Sequence, residues 1–171
     1  MDAASAIVQG LGSPEASVEI YDAVAGVSNV AKLAAAAKNK VQVMRMAMVL
    51  RRTNRSLKNF FDLVDDVQSG KRRIEPTAEP VTPQQLQNMV DNLEHISRMI
   101  DFLYESMRRA GLTNNSLTAA GLKTLNGYGE PLRDLVDWLD ALSKPEFLKS
   151  VFERAKQERE RGELFDLAKV E

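Results

Sequence analysis

The sequence predicts an all-α protein, an antiparallel up-and-down bundle of four to five helices with a kinked fourth helix. Apolar residues recur at spacings of three and four over long stretches, and alternating apolar and polar runs are nearly absent. Capping signals that contain proline mark several helix starts. The 171 residues, 44% of them hydrophobic, suffice for one core. We expect a single domain over 1–171, with a flexible segment at 1–12 and a tail at 162–171.

The first two helices are predicted to be separate. The first helix begins with Ser13 as N-cap and Pro14 in its first turn. Its apolar stripe starts at Ile20, and the stripe of the second helix starts at Val43. This offset of 23 residues leaves the two stripes about 140° apart at 100° per residue. We therefore predict a break near residues 38–40, with one long bent helix as the alternative. The second stripe consists of Val43, Met46, Leu50, Thr53, Leu57, Phe60, Val64 and Val67.

Residues 69–81 form the clearest predicted loop. Gly70 ends the second helix, and two prolines keep the following chain extended. Thr82 then opens the third helix with a capping box, and Gly111 ends that helix. The stripe of the third helix consists of Leu86, Met89, Leu93, Ile96, Ile100, Leu103 and Met107.

The fourth helix is predicted to begin around residues 114–116. Its stripe keeps one phase across GYGEP, residues 127–131, which favours a kink at Pro131 over two helices joined by a loop. Ser143 opens a further capping box and a fifth helix. The apolar segment LFDLAKV, residues 164–170, follows a highly charged helix end and is predicted to dock onto the bundle.

Catalysis finds little support in the sequence. The chain has no cysteine, which excludes thiolate metal sites and cysteine nucleophiles. Its one histidine, His95, has no glutamate three residues before it, so a di-iron bundle site is excluded. We interpret His95 as a surface partner of Asp91. Two acidic groups at helical spacing leave a carboxylate Mg²⁺ site formally open, although solvated helix faces explain them. The groups are Asp62, Asp65 and Asp66, and Asp134, Asp137 and Asp140. We expect no enzyme activity, no catalytic residue, no cofactor and no metal.

The location is expected to be cytoplasmic. The opening MDAASAIVQGLGSPE has an acidic residue and no basic stretch, so it is a poor secretory signal. No charge-free apolar run approaches the ~18–20 residues that a membrane span needs.

Charge is segregated along the chain. Between Asp22 and Asp62 there are 39 residues without an acidic side chain. Segregation of this kind affects how a protein meets and selects its partners rather than how it folds. The same interval holds eight bases, namely Lys32, Lys38, Lys40, Arg45, Arg51, Arg52, Arg55 and Lys58.

The side of the second helix that lies opposite its stripe mixes these bases with apolar residues. In one explanation the fifth helix or the terminal LFDLAKV covers the apolar groups. In a second, the surface binds a protein partner or a second copy of the chain, since methionine adapts well to binding surfaces. In a third it contacts a membrane or nucleic acid, although a pI near 6.0 and the lack of interleaved aromatics disfavour nucleic acid.

From these features we expect a non-enzymatic interaction or regulatory bundle, with self-association as one form of it. The alternative is a bundle that binds anionic membranes. The predicted partner-binding residues are Val41, Met44, Arg45, Met48, Arg51, Arg52 and Arg55. The alternative set for an anionic surface is Lys38, Lys40, Lys58, Lys71, Arg72 and Arg73.

The opening MDAASAI resembles the start of fungal HeLo domains. A long second helix, a basic loop with proline and a long third helix are similar in layout to the membrane-permeabilising bundles of cell-death proteins. The resemblance covers about the first 110 residues in layout and implies oligomerisation and membrane attack. The alanine-rich stripe of the first helix departs from it.

Overall fold

The computed structural model of this chain describes residues 8–72 and 81–142, without the side chain of Leu142. Within these residues a helical turn at 8–11 is followed by five α-helices, and there is no β-strand. The all-α prediction is confirmed. The helices are α1 (Pro14–Ala36), α2 (Lys40–Gln68), α3 (Pro83–Arg109), α4 (Ala119–Gly127) and α5 (Gly129–Leu142), with a 3-10 turn at Leu112–Asn114.

The helices form a bundle in which α2 and α3 lie at opposite corners. α1 packs against both of them on one side, and α4 packs against both on the other. α5 continues from α4 along α3. The start of α1 meets the end of α2 through the ion pair of Glu15 with Arg72, and Gly26 contacts Thr53. These contacts show that α1 and α2 run antiparallel.

The predicted break between the first two helices is confirmed. α1 ends at Ala36, and Asn39 is the N-cap of α2. The Asn39 side chain accepts a hydrogen bond of 3.0 Å from the backbone N–H of Gln42. This bond satisfies one of the free amides that every helix start exposes. The break lets each helix turn its own stripe inward.

The predicted stripes agree with the core, apart from local shifts. All seven stripe residues of α3 are buried, at 7% exposure or less. In α2, Leu63 is buried and the predicted Val64 is only half-buried. The reason is that the N-terminal part of α1 lies beside Leu63, where Val18 lines the same groove. The buried face of α2 therefore turns toward α1 near its end.

The predicted kink in the fourth helix is confirmed as a one-residue interruption at Tyr128. The Tyr128 N–H donates to the Leu125 carbonyl, and the Leu132 N–H donates to the Tyr128 carbonyl at 3.0 Å. Helical bonding therefore resumes at once around Pro131. The Tyr128 ring stacks on Phe61 of α2, with ring centroids 5.8 Å apart, which anchors the bend to the bundle.

Part of the segment predicted to be flexible packs against the bundle. Val8 and Leu11, in the helical turn at 8–11, are buried in the core. Gly12 permits this packing, because a Cβ there would lie 2.3 Å from Cγ2 of Val81. Residues 1–7, most of the predicted loop and the predicted fifth helix and tail lie outside the described residues.

Candidate functional site

The predicted partner-binding residues form one exposed stripe on α2, here called the basic–apolar face. At 100° per residue its members fall within a sector of about 120°. Its apolar members are well exposed, with Val41 at 65%, Met44 at 49% and Met48 at 51%. Met46 and Leu50, on the opposite side of the helix, are fully buried. The face consists of Val41, Met44, Arg45, Met48, Arg51, Arg52 and Arg55.

Packing on both flanks of α2 fixes the direction of this face. On one flank, Thr53 contacts Gly26 of α1. On the other, Leu50 lies against Gly121 of α4, and the Asn54 side chain donates a hydrogen bond of 3.0 Å to the Gly121 carbonyl. The remaining side of α2 therefore points away from the bundle.

The four arginines of the basic–apolar face make no ion pair with any described residue. Arg51 and Arg55 are four residues apart, and Arg52 and Arg55 are three apart. Like charges at these spacings destabilise a helix by about 0.2–0.5 kcal/mol a pair. The described fold therefore gains no ion-pair stabilisation from this cluster.

The described members of the alternative set for an anionic surface are spread along α2, and two of them are paired within the chain. The Lys58 ammonium donates a hydrogen bond of 2.6 Å to Asp62, and this bond raises the pKa of Lys58. The Arg72 guanidinium is likewise held by Glu15, which raises the pKa of Arg72. Lys38 and Lys40 lie near the start of α2, whereas Lys71 and Arg72 follow its end. The 29 residues of α2 separate the two groups by about 42 Å, and Arg73 lies outside the described residues.

A second feature of the surface, here called the acidic groove, lies at the other end of α2. Sequence spacing gives no signal for it, because it forms only where the start of α1 crosses the end of α2. Its volume is about 500 Å³, and Val18 and Leu63 contribute apolar side chains. The groove is lined by Pro14, Glu15, Val18, Glu19, Asn59, Asp62, Leu63, Asp66 and Arg72.

The other residues that the sequence suggested for a site do not come together in the described part of the chain. The described residues contain no group of three or more His, Asp or Glu side chains placed so that they could hold a metal ion. His95 is exposed, and Asp91 accepts a hydrogen bond of 2.9 Å from Gln87 rather than from His95. Burial, with the nearby Glu94 and Asp137, raises the pKa of Asp140. None of the described helices is both long enough and apolar enough to span a bilayer.

Comparison with protein-family models, with curated proteins and with solved structures found no match to this chain. The residues that carry the resemblance to HeLo domains, MDAASAI, lie outside the described part of the chain.

Proposed function

We propose that this protein is a non-enzymatic interaction module that binds a protein partner through the basic–apolar face of α2. The observation that carries the proposal is the exposure of Met44 and Met48, at 49% and 51%, among arginines that have no ionic partner in the described chain. Methionine and arginine are both enriched in protein interfaces. The thioether chains adapt to the shape of a partner.

The arginines raise the rate of association with the partner and help to select it. A cluster of one sign steers the encounter with a surface of the opposite sign and repels surfaces of its own sign. In the central part of α2, from residue 41 to 61, no acidic side chain weakens this field. The proposed partner therefore presents acidic groups around an apolar centre.

The test compares the wild-type chain with the double variant Met44→Glu and Met48→Glu. Proteins captured by the wild-type chain and lost by the variant are identified, purified and titrated with it in a calorimeter. We expect a one-to-one complex whose affinity falls at least tenfold in the variant, since two carboxylates would be buried against an acidic surface.

The matched control is Phe102→Glu, which also places a carboxylate at an exposed apolar position. Phe102 is 60% exposed but lies on α3, so the control should bind as the wild type does. A purified partner that binds the Met44 and Met48 variant with unchanged affinity would count against the proposal.

A further inference from the structure

The outward side of α2 changes the sign of its charge along its length. Arg45, Arg52 and Arg55 occupy its first part. Two to three turns after Arg55, Asp62 and Asp66 fall in the same sector of the helix at 100° per residue. The acidic groove adds two carboxylates from α1 beside them, Glu15 and Glu19. Lys58 pairs with Asp62 and Arg72 with Glu15, so this half carries four carboxylates against two bases and stays acidic. One face of the molecule therefore carries a basic half with exposed methionines and an acidic half with a groove.

We propose that the partner of the basic–apolar face is a second copy of this chain, bound with the two α2 helices antiparallel. A two-fold axis that crosses α2 between its halves places the basic half of each copy on the acidic half of the other. Such an interface is self-complementary, and each charge contact occurs twice. The inference rests on the proposed function and names its partner.

Charge selects this arrangement over the other ways to pair two copies. A parallel pairing would set arginines against arginines and aspartates against aspartates, and like charges placed opposite each other are strongly disfavoured. In the antiparallel pairing, an axis near residues 55–59 brings Arg52 of one copy near Asp62 of the other. No other surface has to be invoked, because both halves belong to the same described face.

The apolar groups complement each other in the same arrangement. The basic half presents Met44 and Met48, which protrude from the helix. The acidic half offers the groove of about 500 Å³ with Val18 and Leu63 in its lining. A flexible methionine chain suits such an irregular recess. The antiparallel pairing brings Met48 of each copy to the level of this groove on the other.

The test measures self-association of the full chain by sedimentation equilibrium. Variant A carries Arg51→Glu and Arg52→Glu, and variant B carries Asp62→Arg and Asp66→Arg. We expect the wild type to dimerise and each variant alone to be monomeric, because variant A cancels the positive charge of the basic half and variant B reverses the charge of Asp62 and Asp66. The control, Lys32→Glu with Lys123→Glu, changes the net charge as variant A does on exposed positions away from the stripe, and it should dimerise like the wild type.

An equimolar mixture of variants A and B provides the stronger test. In a mixed dimer the new glutamates of A face the new arginines of B, and the unaltered acidic half of A faces the unaltered basic half of B, so both contacts are restored. We expect the mixture to form heterodimers at least tenfold more tightly than either variant forms homodimers. Circular dichroism checks that each variant keeps its helical content, because a misfolded variant could not give this recovery.

A photo-crosslinking residue in place of Met48, in a mixture of isotopically light and heavy chains, locates the contact. Crosslinks between copies that reach residues 15–19 or 62–66 support the inference. Crosslinks within one chain to residues 143–171 overturn it, since the chain's own end would then occupy the face.

Two further results overturn the inference. One is a wild-type chain that stays monomeric up to about 1 mM, the weak end of specific binding. The other is a dimer that survives in variants A and B. Neither touches the proposed function, which fails only if binding of a purified protein partner is insensitive to Met44→Glu and Met48→Glu.

Discussion

At the scale of single residues, the contact between Gly26 and Thr53 decides how closely α1 approaches α2. A Cβ on Gly26 would lie 2.1 Å from Oγ1 of Thr53, well inside contact distance. The Thr53 hydroxyl cannot rotate away freely, because it donates a hydrogen bond of 2.8 Å to the Val49 carbonyl and its side chain is β-branched. Thr53 is 1% exposed, so the contact lies in the core.

We therefore expect Gly26→Ala to lower the free energy of unfolding by about 1–2 kcal/mol. Overpacking a core costs roughly 1–3 kcal/mol, and the gain in helix propensity offsets about 0.5–1 kcal/mol of it. Urea denaturation followed by circular dichroism measures the change. The control is Gly127→Ala, where a Cβ meets no atom within 4 Å, and it should be neutral or stabilising.

A double-mutant cycle separates the steric term from the propensity term. Thr53→Ala removes the atom that the new methyl group would meet. Gly26→Ala should therefore cost less in the Thr53→Ala background than in the wild type, with a coupling of about 1 kcal/mol. Additive effects of the two substitutions would contradict a direct clash between these side chains.

The contact between Gly26 and Thr53 could not be predicted from the sequence. The buried face of α1 contains small residues, among them Ala16, Ala23 and Gly26. Periodicity could not show that Gly26 is the point of closest approach, because this depends on the rotation of α1 against α2. Helix caps, in contrast, could be predicted from the sequence, because a cap depends only on residues within a few positions of the helix end. Asn39 is an N-cap, the Thr82 capping box is formed, and Gly70 and Gly111 adopt positive φ after their helices.

At the scale of elements, α2 has two faces that contain methionine in different environments. Met46 is fully buried, whereas Met48, half a turn further on, is 51% exposed. Both residues stand in the same helix with the same propensity, so they form a matched pair. If the same substitution at the two positions changes the free energy of unfolding by different amounts, the difference reflects burial alone.

We expect Met46→Ala to lower the free energy of unfolding by about 2–5 kcal/mol, because it leaves a cavity in the core. Met48→Ala should change it by no more than about 0.5 kcal/mol, as for other exposed positions. Denaturation at low protein concentration, where self-association is absent, measures both. A large loss for Met48→Ala would show that Met48 is covered within the chain, and it would contradict an open basic–apolar face.

Most helix boundaries and most of the core were accessible from the sequence because one helix carries its own period and its own caps. The start of the fourth helix was predicted at residues 114–116, which is wrong, because a 3-10 turn at Leu112–Asn114 comes first and α4 begins at Ala119. All seven predicted core residues of α3 are buried, whereas the sequence left open whether the apolar groups opposite the stripe of α2 are covered. The acidic groove was not accessible. Its carboxylates come from Glu15 and Glu19 on one helix and Asp62 and Asp66 on another, so only the packing of α1 on α2 brings them together.

At the scale of the whole molecule, the net charge of −1 conceals a strong internal asymmetry. A nearly neutral chain has little long-range repulsion between copies. The basic half and the acidic groove are then free to set the orientation in which two copies meet. The proposed dimer follows from the arrangement of the charges rather than from their sum.

The salt dependence of self-association tests this arrangement for the molecule as a whole. The Debye length falls from about 10 Å at 0.1 M salt to about 3 Å at 1 M, so exposed ionic contacts weaken while apolar contacts persist. If exposed ion pairs contribute roughly 0.2–1 kcal/mol each, the several pairs of the dimer predict a dissociation constant about tenfold higher at 1 M. Sedimentation equilibrium at the two salt concentrations measures this ratio.

Substitution of both exposed methionines isolates the apolar contribution to the stability of the proposed dimer. Met44→Ala with Met48→Ala should weaken the dimer at both salt concentrations and leave the ratio between them unchanged, since no charge is altered. Arg52→Ala should instead reduce the ratio, because it removes an ionic contact from each half of the interface. A dimer whose affinity is independent of salt, or rises with it, would show that apolar burial alone holds the copies together.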